Sequence, residues 1–335
     1  MTGARTILVG VYSPVAPWNI PASCVHRLRR EFPQHRFLDA RSEADTLAMI
    51  RDAEIAFVAD LRPDHLAAAR RLEWIHSPAA GVGNMLFPAM IDAAVIMTNS
   101  RGNSADTIAE HVLTLTLAVF RKLALTVRSQ AAQVWAQDAV LAGPPLRTIA
   151  GSTALIVGLG AIGVATARRM AALGARVLAI RRHRSSSRPE FVERIDAPDA
   201  LLDLLPEADV VVLAAPETRH TRHMIGAREL AAMRRDAVLV NVSRGTLVDE
   251  PALIAALSAP PASRTVGAAA LDVFEREPLP ADSPLWRLPN VLVTPHVAGF
   301  RRDHWDAVTT LFADNLRRFE SGQPLTNIVN KQEGY

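Results

Sequence analysis

The segment Thr153–Gly163 constrains the fold of this chain more than any other. Its apolar run ends in three glycines spaced G-x-G-x-x-G, and an amphipathic helical pattern and a second strand-like run follow. In such a βαβ unit the first glycine permits a tight turn, the second lets the backbone approach a pyrophosphate, and the third lets helix and strand pack closely. The helix N-terminus adds unpaired N–H groups and a partial positive charge. The alternative is a purely structural glycine turn, but the context predicts a dinucleotide site that includes Gly158, Gly160, Ala161 and Ile162.

The composition is that of a globular protein. The chain has 335 residues, enough for two domains, with 49% hydrophobic and 21% charged residues. We expect no membrane contact, because no apolar run approaches the roughly 20 residues that span a bilayer and the N-terminus lacks a signal-peptide core. The one cysteine, Cys24, excludes an internal disulfide and favours the cytoplasm. Since the net charge is only +3 and the arginines are interleaved with acids, we expect no nucleic-acid partner.

Strand-like apolar runs alternate with helical patterns along the chain, which predicts parallel sheets with crossover helices. We expect an α/β protein with two doubly wound parallel-sheet domains. A Rossmann cofactor domain, residues 103–299, is inserted into a flavodoxin-like substrate domain, residues 1–102 and 300–335. The predicted strands are 7–11, 36–38, 55–58, 74–76, 95–97, 153–157, 176–180, 209–213, 237–241, 267–271 and 291–293, with a long helix from Ser104 to about Gln130 and a last helix over 303–320.

Polar residues follow three of the strands in the second set, at the edge where open α/β sheets bind ligands. Arg244 follows one, Asp272 and two glutamates follow the next, and His296 follows the last. Each has an ordinary structural explanation by itself, as a helix cap or a surface ion pair. Together they form a chemical set, because arginine binds a carboxylate through two N–H groups. Histidine supplies a proton near neutral pH, and a carboxylate behind it fixes its tautomer.

With these segments the chain resembles the D-isomer-specific 2-hydroxyacid dehydrogenases over nearly its whole length. The resemblance includes the loop at 77–84, the helix entry at 103–111, the glycine turn, the segment at 214–221, the three strand ends and the close at 315–327. It implies a catalytic triad of Arg244, Glu277 and His296, and leaves Glu275 outside the pattern. It also implies a homodimer whose surface includes the helix near 104–130.

The resemblance further implies how a substrate is held. The carboxylate of a small 2-keto acid is bound by Arg244 and by backbone N–H groups of Ala80, Gly81 and Val82. His296 donates a proton to the developing alkoxide while Glu277 supports the imidazolium, and Asp272 lies near the nicotinamide carboxamide. The implied cofactor contacts also include Ala215, Pro216, Thr221, Val242, Ser243 and Gly299.

The end of the second strand of the glycine unit indicates which nicotinamide cofactor is used. NAD-specific sites commonly place an acid there, but this chain has Arg181 followed by Arg182. Arginines would bind a 2′-phosphate by charge-assisted hydrogen bonds, so we expect NADP(H) to be preferred, with NAD(H) possible. The alternative is a solvated basic loop.

The function that these features predict is NAD(P)H-dependent reduction of a small 2-keto acid, of the glyoxylate or hydroxypyruvate type, to the D-2-hydroxy acid. One alternative is a nucleotide-sensing binding protein on the same fold. Another is a family member that oxidises a different small anion such as formate or phosphite, although the formate type resembles a glutamine site where this chain has Glu277. No metal is expected, because the pair His220 and His223 lacks a cysteine or acidic cluster to complete a ligand shell.

Overall fold

The computed structural model of the chain describes residues 3–182, 188–260 and 262–335. The chain divides into two compact units, Met1–Asn103 with Arg301–Tyr335, and Ser104–Phe300. The predicted fold class is confirmed, since one unit contains a five-stranded parallel sheet and the other a seven-stranded parallel sheet. Within the described ranges, no helix combines the length and the apolar character needed to cross a lipid bilayer.

The elements alternate along the chain. The strands are β1 Thr6–Gly10, β2 Arg36–Asp39, β3 Ile55–Val58, β4 Trp74–Ser77, β5 Ile96–Asn99, β6 Thr153–Val157, β7 Arg176–Ile180, β8 Arg194–Asp196, β9 Val210–Leu213, β10 Val238–Asn241, β11 Ala268–Leu271 and β12 Val291–Val293. The helices are α1 Ala22–Glu31, α2 Glu43–Met49, α3 Pro63–Ala68, α4 Pro88–Asp92, α5 Ala105–Phe120, α6 Leu123–Ala131, α7 Gln137–Leu141, α8 Ala161–Ala172, α9 Leu201–Leu204, α10 Ala227–Ala232, α11 Glu250–Ser258 and α12 His304–Glu320.

The first unit is built on the strand order β2-β1-β3-β4-β5. Its C-terminal helix α12 belongs to this unit because its apolar side chains recur at helical spacing and pack on the sheet. Phe312 stacks on Phe57 and on Trp74, with ring centroids 4.6 and 5.3 Å apart. The unit is therefore completed by a chain segment more than 200 residues away from its sheet in sequence.

The second unit has the strand order β12-β11-β10-β9-β6-β7-β8. Its central strands are buried on both faces, which explains why they read as continuous apolar runs. The order reverses between β6 and β9, so the crossover helices leave the sheet in opposite directions there. Such a switch point opens a crevice at the carboxyl ends of the strands, where ligands of this fold bind.

The prediction of one long helix from Ser104 to about Gln130 is wrong. The structure has two helices, α5 and α6, because Lys122 adopts a left-handed conformation with φ of 52°. A left-handed residue cannot continue an α-helix. The Lys122 ammonium group donates to the carbonyl oxygens of Val140 and Ala142, each at 2.7 Å, and these bonds hold the turn.

His76, on β4, is a fully buried histidine in the core of the first unit. Its Nδ1 lies 2.7 Å from Thr98 Oγ1, and its Nε2 lies 3.3 Å from Ser100 Oγ. Burial lowers the pKa of His76 from 6.5 to about 3, because the charged ring would lose its hydration. The ring therefore stays neutral in the folded protein down to strongly acidic pH.

We expect this histidine to make the protein less stable in mild acid. As the pH falls below 6.5, His76 binds a proton in the unfolded chain but not in the folded chain. Stability is therefore lost progressively down to about pH 3. Between pH 7.5 and 5 the loss from this group should be about 2 kcal/mol. Urea unfolding gives the free energy of unfolding of the wild type and of His76→Gln at both pH values. The contribution of His76 is the difference between the two proteins in how much that free energy changes with pH. Equal losses in the two proteins would contradict the expectation.

Candidate functional site

The glycine turn joins β6 to α8 at the switch point of the second sheet. Gly158 has φ of +101°, and a Cβ there would lie 2.5 Å from the Ala215 nitrogen. A Cβ on Gly163 would lie 2.0 Å from the Gly158 oxygen, so neither position accepts a side chain. Gly160 differs, because a Cβ there would meet nothing within 4 Å. Packing does not require glycine at 160, so its bare backbone, beside the N-terminus of α8, fits close approach by a pyrophosphate.

The loops after β9 and β10 lie beside the glycine turn and are bonded to each other. The Ser243 hydroxyl donates to the Ala215 carbonyl oxygen. The Thr221 hydroxyl donates to the Pro216 carbonyl oxygen at 2.7 Å. Ser243 and the adjacent Val242 are buried. These predicted cofactor contacts therefore include two hydroxyl groups that shape the loops by internal hydrogen bonds.

An imidazole and a carboxylate meet where β11 and β12 end. His296 Nδ1 lies 2.6 Å from Glu277 Oε2, and Glu277 Oε1 accepts from the Phe274 N–H at 3.0 Å. The His296 side chain is 49% exposed, so the ring is open to solvent on part of its surface. Burial would raise the pKa of Glu277, but the bonds from His296 and Phe274 outweigh it and lower the pKa. The carboxylate therefore stays ionised behind the imidazole at neutral pH.

Arg244 follows β10, the strand next to β11. Its Nη1 donates to the Ser243 carbonyl oxygen at 2.6 Å, which fixes the direction of the guanidinium. Burial lowers the pKa of Arg244, while the charges of Glu217 and Glu277 oppose that shift. The turn is held by Asn241, whose side chain donates to the Arg244 carbonyl oxygen at 2.9 Å and accepts from the Ser243 N–H at 3.1 Å. Asn241 is not among the residues predicted from the sequence, although an asparagine two residues before a serine turn is a recognisable signal.

Gly245 brings the loop after β10 against the loop after β11. A Cβ at this position would lie 1.8 Å from the Phe274 carbonyl carbon and 2.0 Å from its oxygen. Backbone therefore touches backbone, and the absence of a side chain sets the separation of the two loops. Arg244 and Glu277 lie on the two loops that meet at this contact.

Asp272, which the resemblance places near the nicotinamide carboxamide, is buried just after β11. It is 1% exposed, and its carboxylate accepts from Thr294 Oγ1 at 2.6 Å and from the N–H groups of Val297 and Ala298, both at 3.0 Å. Its oxygens are thus engaged inside the protein. Asp272 therefore anchors the loop that carries His296.

Glu275, two residues from Glu277, pairs with another histidine. His223 Nε2 lies 2.6 Å from Glu275 Oε1, and the Glu275 N–H donates to Glu250 Oε2 at 3.1 Å. The structure therefore contains two exposed histidine–glutamate pairs near the same sheet edge. Only the pair formed by Glu277 includes the histidine that the resemblance implies as catalytic.

The predicted substrate loop Ala80–Val82 follows β4 in the first unit. The Ala79 carbonyl oxygen accepts from the Ser100 N–H at 3.1 Å, and the Ala80 carbonyl oxygen accepts from Asn99 Nδ2 at 2.6 Å. In a trans peptide the carbonyl and the following N–H point in opposite directions. The N–H groups of Ala80 and Gly81 therefore point away from residues 99 and 100. Asn99 was not identified in the sequence.

The remaining predicted cofactor contacts, Arg181, Arg182 and Gly299, lie toward the two ends of the edge formed by the carboxyl ends of the strands. Arg181 follows β7, on the other side of β6 from Arg244, and its N–H donates to the Asp196 carbonyl oxygen at 2.9 Å. Arg182 is exposed. The basic segment continues into residues 183–187, which lie outside the described residues. A Cβ on Gly299 would make only ordinary contacts, the nearest 3.6 Å from Ser104 Cβ, so packing does not demand glycine there.

Comparison with known proteins gives consistent matches. The family model described as "D-isomer specific 2-hydroxyacid dehydrogenase, NAD binding domain" matches residues 113–298, more than half of the chain. A glyoxylate/hydroxypyruvate reductase B from Pectobacterium atrosepticum is 36% identical over 273 residues, covering 80% of this chain and 82% of the relative. A D-3-phosphoglycerate dehydrogenase from Archaeoglobus fulgidus is 33% identical over 305 residues and covers 90% of this chain. The chain spans only 53% of that second relative's length.

Solved structures agree with the sequence matches. A D-isomer specific 2-hydroxyacid dehydrogenase from Xanthobacter autotrophicus Py2, crystallised with NADPH and MES, superposes with a TM-score of 0.83 at 30% sequence identity. The match covers 99% of this chain and 100% of the other. The glycine turn and the strand-end side chains lie inside the part that the family model describes as the NAD-binding domain. The chain therefore belongs to the D-isomer-specific 2-hydroxyacid dehydrogenases, a family of oxidoreductases.

Proposed function

We propose that this protein reduces a small 2-keto acid, of the glyoxylate or hydroxypyruvate type, to the D-2-hydroxy acid. The observation that carries the proposal is the pair between His296 Nδ1 and Glu277 Oε2 at 2.6 Å, with Arg244 on the neighbouring strand end. When bound, the nicotinamide supplies the hydride. The chain's own residues supply the proton and hold the substrate.

His296 is the general acid. Because Nδ1 is held by the ionised Glu277, the proton for the substrate leaves from Nε2. Glu277 stabilises the imidazolium before transfer and fixes the ring orientation. In the reverse direction the same Nε2 accepts the hydroxyl proton.

Arg244 binds the substrate carboxylate and stabilises the alkoxide. One Nη group is held by the Ser243 carbonyl oxygen, which leaves further N–H groups of the planar guanidinium for an anion. Binding through N–H groups of Ala80, Gly81 and Val82 stays a prediction from the resemblance, supported within their unit by the carbonyl anchoring at residues 79 and 80.

A panel of 2-keto acids assayed with NADPH and NADH tests the proposal. The panel should include glyoxylate, hydroxypyruvate, pyruvate and 3-phosphohydroxypyruvate, because phosphoglycerate dehydrogenases are among the relatives. We expect oxidation of NADPH with one of the first two and a D-configured product where the product is chiral. Cofactor binding without turnover of any member would favour the nucleotide-sensing alternative.

We propose NADPH as the preferred cofactor, held at its 2′-phosphate by Arg181 and Arg182. Both follow β7, where an acid would repel a phosphate. Charge-assisted hydrogen bonds are worth about 1.5–3 kcal/mol each, so Arg181→Asp with Arg182→Ala should weaken NADPH by about 10- to 100-fold or more. The Kd for NADH should change much less. Fluorescence titration with both cofactors measures the two Kd values, and Arg228→Asp with Arg235→Ala, at two exposed arginines, controls for the same change of net charge. Equal weakening of both cofactors would refute the assignment.

We also propose a homodimer. Large apolar side chains are exposed on α5, α6, α7 and the segment between α6 and α7, including Trp135, which is 88% exposed. Exposed apolar side chains grouped in this way mark association surfaces. The others are Leu117, Leu123, Val127, Val134 and Leu141. Light scattering should give twice the chain mass of 36.3 kDa.

We propose a cytoplasmic location, because the sequence has one cysteine and so forms no internal disulfide. Cys24 is the one cysteine, and it is buried and unpaired. A chain without disulfides suits a reducing compartment. Fractionation of the source cells tests this.

A further inference from the structure

His111 lies on α5 and faces the end of β12. Its Nε2 is 3.1 Å from Thr294 Oγ1 and 3.5 Å from Asp272 Oδ1. The side chain is 19% exposed, so the contact is largely shielded from solvent. The proposed reaction has no use for this histidine, and it touches neither Glu277 nor Arg244 by any described bond.

The direction of the hydrogen bonds follows from counting protons. Thr294 Oγ1 donates to Asp272 Oδ1 at 2.6 Å. A hydroxyl group has one proton, so Thr294 can only accept from His111. His111 therefore carries its proton on Nε2, and a chain of donors runs from His111 through Thr294 to the Asp272 carboxylate.

Asp272 is hydrogen-bonded in turn to the loop that carries His296. Its carboxylate accepts from Val297 and Ala298, and its carbonyl oxygen accepts from the His296 N–H at 2.9 Å. The peptide N–H groups on both sides of the His296 Cα therefore donate to the same residue, Asp272. His296 itself has φ of 52°, a conformation that a residue with a Cβ adopts only when its surroundings impose it.

The bonds on Asp272 also keep it ionised. Burial would raise the pKa of Asp272, but the nearby N–H of His111 and the hydrogen bonds from Thr294, Ala298 and Val297 outweigh it and lower the pKa. A protonated Asp272 would donate through one oxygen and lose an acceptor for the loop. The donors from α5 and β12 therefore maintain the acceptor that the loop needs.

We propose that His111 is a positioning residue for the proton transfer: with Thr294 it orients the Asp272 carboxylate, which holds the loop of His296 in its reactive conformation. This inference rests on the proposed function for its kinetic consequences. Its structural content, the dependence of the His296 loop on a side chain of α5, stands on the hydrogen bonds alone.

Kinetics with four variants test the proposal. His111→Leu and Thr294→Val each break the chain of donors and should lower kcat about tenfold. The KM for NADPH should change less than twofold, because the glycine turn and the loops after β9 and β10, which include most of the predicted cofactor contacts, are not touched. His111→Gln keeps an N–H donor at comparable reach and should recover most of kcat. Thr114→Val, which removes an exposed hydroxyl from the same helix, should match the wild type.

The double variant distinguishes a chain of donors from independent packing effects. If His111 acts through Thr294, His111→Leu with Thr294→Val should lose no more than either single variant, about tenfold rather than 100-fold. An additive loss, or a wild-type kcat in His111→Leu, would overturn the proposal. A kcat for His111→Gln no higher than that of His111→Leu would also overturn the proposal.

A spectroscopic readout keeps this inference separate from the proposed function. In protein with ¹³C-labelled histidine, the Cε1–H signal of His296 is assigned by its loss in His296→Gln. It should shift or broaden in His111→Leu and stay in place in Thr114→Val. If the wild type reduces no 2-keto acid, the proposed function fails while this signal still decides the positioning role; an unmoved signal in His111→Leu refutes it.

Discussion

His296→Gln should lower kcat for the preferred 2-keto acid by about 10³-fold while the Kd for NADPH stays within about twofold. A positioned general acid contributes on the order of 10²–10⁴ in rate. Glutamine can still donate a weak hydrogen bond, but it cannot give up a proton to the alkoxide. Since the His296 side chain lies at the end of β12 and the glycine turn follows β6, cofactor binding should be preserved. Steady-state kinetics and cofactor titration measure the two effects separately.

The structure offers a matched control for this substitution. His223 is also exposed, also has a positive φ, 50°, and also lies 2.6 Å from a glutamate oxygen, that of Glu275. His223→Gln should therefore leave kcat nearly unchanged. Comparable losses in the two variants would show that an exposed histidine–glutamate pair matters for structure rather than for proton transfer, and would remove the basis of the proposed mechanism.

Arg244→Lys should lower kcat/KM for the keto acid by about 10²- to 10³-fold, the range found when one oxyanion donor is removed. Lysine keeps the charge but loses the planar fork, and its ammonium group cannot both bind the Ser243 carbonyl oxygen and span a carboxylate. Arg234→Lys is the control, because Arg234 pairs with Asp236, just ahead of β10 and away from the carboxyl edge. A kcat/KM within threefold of the wild type in Arg244→Lys would rule out a bidentate role.

Much of the sheet architecture could be predicted because buried parallel strands read as apolar runs. The strands over 55–58, 153–157 and 176–180 have the predicted bounds. The break at Lys122 could not be predicted, since a lysine in a left-handed conformation has no sequence signal comparable to glycine or proline. It is imposed by bonds from the lysine to carbonyl groups about twenty residues later.

The candidate site residues could be grouped from the sequence, but the hydrogen bonds among them and their neighbours could not. Residues after adjacent parallel strands meet at one edge, so Arg244, Glu277 and His296 could be grouped in advance. The choice between Glu277 and Glu275 came from the resemblance, because spacing alone does not say which carboxylate reaches which imidazole. The bond between His111 and Thr294 joins residues 183 positions apart, and no local pattern encodes such a pair.

The close approach at Gly245 has a consequence for altering what the enzyme accepts. With the carbonyl carbon of Phe274 only 1.8 Å from where a methyl group would sit, even alanine must displace main chain. Engineers who wish to broaden or shift the range of acids should leave this position alone, because widening the gap there would carry the guanidinium away from the imidazole's partner. Diversity belongs instead at sites such as Gly83, next to the predicted substrate loop, where a Cβ would meet nothing within 4 Å.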